Sequence, residues 1–332
     1  MESVFKALLV KKDESGHFKK GIEEIPFSDL PMNDLLIKVK YSSVNYKDAL
    51  SASGNKGVTR DYPHVPGIDA SGVVMGSNVP DFKNGDEVLV TGFDLGMNTW
   101  GGFGEYISIP AHWAIPLPQG ISLKESMQLG TAGLTAGLSV LKIVQAGITP
   151  SETPVVVSGG TGGVGSLAIA ILARLGYKVL AISGKKEESY LKETLGASEV
   201  ISRDEFISTY NARTLNKEIF AAGIDTVGGE ILSGMLKGTI YGGIVTCCGM
   251  IASSELTTSI FPFILRGVGL MGIDSVQASL EVRKEVWHLL SSNWKPSNLQ
   301  DIAQEIFLEA LPHKLEEILQ GKAKGRYVLT YE

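Results

Sequence analysis

The chain has 332 residues, of which 44% are hydrophobic and 20% charged, and its formal net charge is −6. This length fits about two domains, and the composition allows an ordinary globular core. The acidic balance argues against general nucleic-acid binding, and the two adjacent cysteines, Cys247 and Cys248, can build neither a disulfide framework nor a four-cysteine zinc site.

The N-terminus does not resemble a secretory leader, because Lys6, Lys11 and Lys12 interrupt the region that would have to be apolar. The longest apolar stretch, near residues 164–173, is well short of the roughly 20 residues that span a bilayer. We therefore expect a cytoplasmic protein without a membrane or nucleic-acid partner.

The first 126 residues contain short candidate strands separated by glycine and proline. Such punctuation is typical of a small β-barrel or sandwich. The candidate strands are residues 5–10, 35–40, 71–75, 86–90, 105–109 and 114–118.

The pattern changes near Leu123 to two helices, residues 125–129 and 135–146, and then to an alternation of strands and helices. Six short apolar strands with helical crossovers predict a doubly wound parallel sheet. The candidate strands are residues 155–157, 179–182, 199–201, 224–227, 243–248 and 269–273, and the candidate crossover helices include residues 164–175, 187–195 and 231–236.

The C-terminal tail after Asp274 contains two amphipathic helices, residues 280–290 and 315–319, and a final strand, residues 327–330. We expect this tail to return to the first domain. The predicted domains are therefore residues 1–126, completed by residues 274–332, and residues 127–273.

The strongest functional signal is the stretch 154–165, in which a valine-rich strand leads through a glycine-rich turn into a helix. Gly160, Gly162 and Gly165 match the G-x-G-x-x-G spacing of dinucleotide-binding folds. We expect the first glycine to turn the chain out of the strand, the second to admit a pyrophosphate, and the third to let the helix pack closely. The alternative is an ordinary glycine-rich loop, but the strand, the helix and a C-terminal glycine, Gly176, are all in place.

The residues after the second strand of this sheet favour NADP(H). NAD-binding folds usually place an acidic residue about 20 residues beyond the first glycine, where this chain has Ser183, Gly184 and Lys185. Ser183 can donate to a 2′-phosphate and Lys185 can neutralise it, and Arg203 is close enough in sequence to reach the same pocket. The alternative is that these cations are solvated surface charges.

These motifs, in this order, resemble the zinc-free quinone-oxidoreductase branch of the medium-chain dehydrogenase/reductase family, and within it the YhdH/YhfP-type acrylyl-CoA reductase subgroup. The resemblance covers nearly the whole chain. Besides the glycine loop, it is carried by residues 43–50, 66–73, 100–102, 130–133, 183–185, 202–205, 224–228, 262–266 and 272–275. It implies an α/β fold with a GroES-like β-barrel catalytic domain and a Rossmann domain, an active site in the cleft beside the cofactor domain, and a homodimer.

The resemblance also implies which residues contact NADP(H). The pyrophosphate would be held by Thr161, Gly162, Gly163 and Val164, within the loop that Gly160 and Gly165 bound; the 2′-phosphate by Ser183, Gly184, Lys185 and Arg203; and the rest of the cofactor by Tyr46 at the nicotinamide end and by Met250, Ile264 and Ser275. Close relatives usually have arginine in place of Lys185. Lysine keeps the charge but loses the two-point contact, which weakens the expected preference for NADPH.

The resemblance further predicts a site without metal. Zinc-dependent relatives have cysteine where this chain has Asn45 and a His-Glu pair where it has Ile68 and Asp69, and amide and isoleucine are poor zinc ligands. Alcohol oxidation without zinc lacks its Lewis acid, whereas reduction of an activated carbon–carbon double bond needs less help.

We therefore expect NADPH-dependent hydride transfer to the β-carbon of a short 2-enoyl-CoA such as acrylyl-CoA. Asn45 would donate a hydrogen bond to the enolate oxygen, and Tyr46 would supply a proton or pack on the nicotinamide. Lys47, Lys56 and Arg60 would meet the anionic CoA handle or form a solvated surface. Two alternatives remain open: an NADPH:quinone or enone oxidoreductase, and a non-catalytic NADPH-binding regulator.

Overall fold

The computed structural model describes residues 3–331, which divide into two compact units. Unit 1 contains the chain up to Thr131, residues Val276–Lys284 and the chain from Ala303 onwards. Unit 2 contains Ala132–Ser275 and Glu285–Ile302. The tail is thus shared, whereas the sequence assigned all of residues 274–332 to the first domain. The segment from Glu285 belongs to unit 2 because it brings fully buried side chains with it, among them Val286, Trp287 and Leu290.

The first part of the chain forms seven strands and two helices. In order they are β1 (Val4–Lys12), β2 (Phe18–Pro26), β3 (Leu35–Val44), α1 (Tyr46–Ala52), β4 (Asp69–Ser77), β5 (Glu87–Thr91), β6 (Tyr106–Ile109), β7 (Ile115–Pro116) and α2 (Leu123–Gln145). The second part alternates strands and helices: β8 (Val155–Val157), α3 (Gly163–Arg174), β9 (Val179–Ser183), β10 (Glu199–Ser202), α4 (Arg203–Tyr210), β11 (Phe220–Asp225), α5 (Gly229–Gly238), β12 (Thr239–Cys247), α6 (Phe261–Arg266) and β13 (Gly269–Gly272). The tail adds α7 (Leu280–Leu290), α8 (Leu299–Ile302), β14 (Ala303–Ile306), α9 (Leu311–Leu319) and β15 (Arg326–Thr330).

Unit 1 is built on an antiparallel pair, β1 and β2, and a seven-stranded sheet of order β14-β15-β3-β4-β5-β7 in which β6 also pairs with β3. Alternate residues of β3, namely Leu35, Ile37 and Val39, are buried in the core of this sheet. The final strand β15 runs antiparallel to β3 with Tyr327 opposite Val44. This register brings Arg326 beside Asn45, which positions the polar cluster described below.

Unit 2 contains a six-stranded, wholly parallel sheet of order β10-β9-β8-β11-β12-β13. The predicted doubly wound sheet is confirmed. Its first strand, β8, is central and its three valines are fully buried, which is why the sequence there is continuously apolar. From β8 the chain first adds strands on one side of the sheet and then adds the remaining strands on the other side, so β8 lies at a topological switch point. Open α/β sheets bind ligands at the carboxyl ends of the strands at such a point.

Three elements differ in detail from the sequence prediction. The two predicted helices near residues 125 and 135 join into α2, with a kink at Gly130 (φ 54°, ψ −155°). The predicted strand 224–227 ends at Asp225, because the chain turns there and Gly228 and Gly229 adopt positive φ. The predicted helix 187–195 contains a π-helical turn at Tyr190–Thr194.

By length and composition, α2 is the one helix within residues 3–331 that is apolar enough to cross a membrane. This helix is longer than the apolar stretch at residues 164–173, which the sequence predicted to be the longest in the chain. Of its most apolar window, 83% is buried inside the structure, so packing within the fold accounts for its composition.

Candidate cofactor site and active site

The turn between β8 and α3 has the shape of a phosphate-binding loop, although one of its glycines acts differently from the prediction. Gly159, not Gly160, turns the chain out of the strand: its φ is +61°, and a Cβ there would lie 2.3 Å from Oγ1 of Thr226. Gly160 instead fits between the side chains of Ile169 and Leu191, each 3.0 Å from where its Cβ would be. The motif spacing alone could not separate these roles, because Gly159 and Gly160 are adjacent.

The N-terminus of α3 provides an anion-binding environment. Gly162 is the N-cap, no side chain caps the helix, and its first turn contains no acidic residue. The first N–H groups of such a helix have no acceptor within the helix, and its dipole favours a negative charge. Gly165 lets α3 approach the loop, since a Cβ there would lie 2.3 Å from the Gly159 carbonyl oxygen. Thr161, Gly163 and Val164 complete this stretch, and the bare backbone fits the predicted pyrophosphate.

The structure brings the four residues predicted for the 2′-phosphate together beyond β9. Oγ of Ser183 accepts from the backbone N–H of Lys185 (3.0 Å) and donates to its carbonyl (3.2 Å), which fixes this tight turn. Arg203 begins α4 after β10, and its guanidinium covers Gly184, where a Cβ would lie 2.9 Å from Nη2. One guanidinium and one hydroxyl thus lie beside a backbone without a side chain, which suits a phosphate, and the contact of the Lys185 ammonium with it stays a prediction.

The other predicted cofactor residues have more varied surroundings. Met250, in the loop after β12, is 72% exposed, and Ile264 on α6 is 65% exposed. Ser275 is almost buried, and its hydroxyl accepts a hydrogen bond from Oγ1 of Thr135 at 2.9 Å. Their contact with a cofactor stays a prediction.

In unit 1, Asn45 lies at the centre of a buried polar cluster. Nη2 of Arg326 donates to its amide oxygen (3.1 Å), and its amide nitrogen donates to Oδ2 of Asp69 (2.9 Å). Asp69 also accepts from the backbone N–H of Thr131 (2.8 Å) and from its hydroxyl (2.5 Å). A cation on one side and a carboxylate on the other leave the amide of Asn45 only one favourable orientation.

Asp48 holds the backbone of the same cluster. One carboxylate oxygen accepts from the N–H of Asn45 (2.7 Å), which starts α1, and the other accepts from the N–H of Ile68 (2.8 Å). Burial, together with the charge of Asp69, raises the pKa of Asp48 to about 7. Burial lowers the pKa of Arg326, and the two carboxylates act against that shift.

Tyr46 is the first residue of α1, and its side chain is 44% exposed. It is therefore open to a ligand, which both of its predicted roles require. Sequence reasoning missed the contributions of Arg326, Thr131 and Asp48. Only Asp48 left a local signal, because Asn-x-x-Asp is a capping pattern at the start of a helix.

No group of three or more histidine, cysteine, aspartate or glutamate side chains that could hold a metal occurs within residues 3–331. Asn45 stands where zinc-dependent relatives have a metal ligand, and its side-chain amide is hydrogen-bonded to Arg326 and to Asp69. The metal-free site stays a prediction.

Two family descriptions match the chain: "Alcohol dehydrogenase GroES-like domain" over residues 31–119 and "Zinc-binding dehydrogenase" over residues 163–292. The acrylyl-CoA reductase AcuI of Ruegeria pomeroyi is 40% identical over 327 residues, covering 98% of this chain and 99% of that protein. The chain belongs to the medium-chain dehydrogenase/reductase family. It falls in the branch that contains quinone oxidoreductases and acrylyl-CoA reductases, as its sequence motifs predicted.

Two further relatives of this family bear on the cofactor. YhfP of Bacillus subtilis, which carries a provisional quinone-oxidoreductase name, is 44% identical over 334 residues and 99% of both chains, and its structure with NAD bound has a TM-score of 0.94. The yhdH oxidoreductase of Salmonella enterica, solved in complex with NADP, is 40% identical with a TM-score of 0.94 and covers 98% of this chain and 100% of that one. The predicted fold, enzyme class and NADP(H) cofactor are confirmed by these comparisons.

Proposed function

We propose that this medium-chain oxidoreductase reduces the carbon–carbon double bond of a short 2-enoyl-CoA such as acrylyl-CoA. The observation that carries the proposal is the orientation of the Asn45 amide between Arg326 and Asp69. Of the two hydrogens on its amide nitrogen, one is donated to Asp69. Its amide nitrogen also lies 3.5 Å from the Ser43 carbonyl, and the Asn45 side chain bonds the Asp48 carboxyl. In the proposed complex, a substrate oxygen replaces these weaker partners and takes the second hydrogen.

In the proposed reaction, NADPH supplies the hydride that reaches the β-carbon. Asn45 donates its hydrogen bond to the thioester oxygen, on which negative charge develops. Because Arg326 and Asp69 already fix the amide, little reorganisation accompanies that stabilisation. The α-carbon then needs a proton, for which the hydroxyl of the partly exposed Tyr46 is the proposed source, directly or through water.

The anionic handle of the thioester needs a cationic surface. Lys47 lies on α1, and Lys56 and Arg60 lie on the exposed turn that follows it. We propose these three side chains as the CoA contact.

A quinone is the second candidate substrate, because a relative that is 44% identical carries a provisional quinone-oxidoreductase name. Quinones need neither the cationic handle nor a proton delivered to carbon. The two functions therefore make different demands on Lys56, Arg60 and Tyr46.

The deciding experiment compares NADPH oxidation with acryloyl-CoA, crotonyl-CoA and a benzoquinone under one set of conditions. We expect turnover with acryloyl-CoA to be fastest, and Asn45→Ala to lower its kcat by about 10²–10³-fold without changing NADPH affinity, as removal of an oxyanion donor does. The control variant is Asn98→Ala, an exposed asparagine of unit 1. A faster quinone reaction would favour the second candidate, and NADPH binding without any turnover would favour a non-catalytic regulator.

We also propose that two copies of the chain form a homodimer through the edge of the unit 2 sheet. Strand β13 is the last strand of that sheet and is largely exposed. Exposed apolar side chains lie on it and on the nearby α6, including Met271 (42%), Leu265 (57%) and Ile264 (65%). Unpaired strand edges and apolar patches of this kind are typical of protein–protein contacts. Light scattering is expected to give a dimer mass that Leu265→Asp reduces to a monomer mass.

We propose the cytoplasm as the location. The proposal rests on Cys247 and Cys248, which are both free thiols, as in a reducing compartment. Cell fractionation tests it, and recovery of the protein in a membrane or secreted fraction would contradict it.

A further inference from the structure

A buried carboxylate lies at the end of β11, beside the start of the phosphate loop, and takes no part in the proposed reaction. Asp225, the last residue of β11, is 0% exposed. It accepts hydrogen bonds from Oγ of Ser158 (2.7 Å) and from the N–H groups of Gly228 (2.7 Å) and Val227 (3.4 Å). No cation pairs with it within residues 3–331, so these donors alone offset the cost of burying it.

Ser158 is the last residue before the turn of the phosphate loop, and it is joined to the strand end of β11 in both directions. Its hydroxyl accepts from the N–H of Thr226 (2.8 Å) while donating to Asp225. Oγ1 of Thr226 in turn donates to the Ser158 carbonyl (2.9 Å). The start of the phosphate loop and the turn at residues 226–229 are therefore held as one piece.

The loop after β12 is joined to the same turn through its backbone. The N–H of Cys248 donates to the Asp225 carbonyl (3.0 Å), and the N–H of Ala252 donates to the Val227 carbonyl (2.8 Å). The contact is too close for a side chain at Gly249, where a Cβ would lie 2.0 Å from the Thr226 carbonyl oxygen. This loop carries Met250, one of the predicted cofactor contacts.

We propose that Asp225 is a positioning residue for NADP(H): its carboxylate fixes the phosphate loop, the turn at residues 226–229 and the loop at residues 248–253 in the arrangement that the cofactor needs. All three loops follow the carboxyl ends of neighbouring strands, β8, β11 and β12, at the switch point of the sheet. This inference depends on the cofactor alone and stands whichever substrate the enzyme reduces.

The test separates this role from a merely structural one by using two ligands. NADPH requires the phosphate loop, whereas 2′-AMP presents the adenosine and the 2′-phosphate, which Ser183, Lys185 and Arg203 would bind, and lacks the pyrophosphate. The side-chain hydrogen bonds of Asp225 go to Ser158, Val227 and Gly228 and to none of those three residues. Dissociation constants for both ligands are measured by calorimetry on the full chain. In Asp225→Asn, where one acceptor oxygen becomes a donor, we expect NADPH to bind about tenfold more weakly, as loss of about one hydrogen bond to a charged group would give. The affinity for 2′-AMP should stay within about twofold.

Two milder variants test the same network if Asp225→Asn does not fold. Ser158→Ala and Thr226→Val each remove a side-chain hydrogen bond between the loops. Each variant should lower the affinity for NADPH more than the affinity for 2′-AMP. The control is Ser233→Ala, another buried serine of unit 2, whose hydroxyl donates to the Thr257 carbonyl (2.7 Å); it should leave the ratio of the two affinities unchanged. Equal weakening of both ligands, or unchanged NADPH affinity in the folded variants, would overturn the proposal.

Discussion

Arg326 shows how one buried charge supports several others. It is 4% exposed and is the nearby cation for both Asp69 and Asp48. Arg326→Met should leave two buried carboxylates without that cation and lower the free energy of unfolding by about 3–5 kcal/mol. Arg326→Lys keeps the charge and should recover part of that loss. Urea denaturation measures both, and a loss below about 1 kcal/mol in the methionine variant, typical of an exposed ion pair, would contradict this role.

The proton on Asp48 should make stability depend on pH. Its pKa of about 7 in the folded protein lies above the ordinary value of 3.8, because of burial and the charge of Asp69. The folded state therefore binds a proton that the unfolded chain releases between these values, so this group's contribution to stability falls as pH rises from about 4 to about 7.

Asp48→Asn should remove this contribution. Subtracting the variant's melting temperature from that of the wild type cancels other titrating groups, including Asp225, whose pKa burial also raises. We expect the melting temperature of the wild type to fall relative to that of the variant as pH rises from 5 to about 7.5. A difference that stays constant across this range would show that Asp48 is ionised throughout.

The cations at the 2′-phosphate pocket should set the choice of cofactor. Lys185→Glu should repel a 2′-phosphate and shift the preference from NADPH toward NADH, and Arg203→Ala should weaken NADPH by about tenfold or more while leaving NADH nearly unchanged. The neighbouring Lys186→Ala serves as a control for charge alone. Dissociation constants for the two cofactors measure the shift, and an unchanged ratio in both pocket variants would show that these side chains do not meet the phosphate.

At the scale of elements, α3 depends on two glycines for different reasons. Gly165→Ala would place a Cβ 2.3 Å from a backbone oxygen, and such overpacking should lower the free energy of unfolding by about 1–3 kcal/mol as well as weaken NADPH binding. At Gly162, the nearest atom to an added Cβ is 3.3 Å away, so Gly162→Ala should fold almost normally yet hinder the pyrophosphate. Thermal melts and NADPH titrations separate the two effects. Equal loss of stability in both variants would contradict this assignment.

The sequence predicted elements well where periodicity and burial agree and poorly where tertiary contacts form the element. Five of the six strands of the parallel sheet were recognisable as apolar segments bounded by turns, whereas β11 (Phe220–Asp225) begins four residues before the predicted strand 224–227. Strand β2 (Phe18–Pro26) was missed because it is half exposed and rich in charge, and only its pairing with β1 makes it a strand. Helices α1 and α4 are short, but each begins with a capping pattern, at Asn45-x-x-Asp48 and Ser202-x-x-Glu205, that could have indicated it.

Across the whole molecule, the sequence supports a prediction of the cofactor residues but gives no sign of the partners of Asn45. Gly162, Ser183 and Arg203 belong to a sequential pattern with known spacing from one strand to the next. The partners of Asn45 come from positions 69, 131 and 326, which β4, α2 and β15 bring together only after folding. The inclusion of residues 285–302 in unit 2 was missed for the same reason. The sequence around Trp287 shows that this side chain is apolar, but it does not show in which of the two cores the side chain is buried.

In the proposed enzyme, a bare phosphate loop and an oriented amide suffice for NADPH-dependent reduction of an enoyl thioester without a metal. The most direct measurement is NADPH oxidation with acryloyl-CoA by purified protein whose zinc content is determined on the same sample. We expect one propionyl-CoA formed for each NADPH consumed, with far less than one zinc per chain and no effect of a chelator. Stoichiometric zinc with chelator-sensitive activity, or the absence of propionyl-CoA formation by protein that binds NADPH, would contradict it.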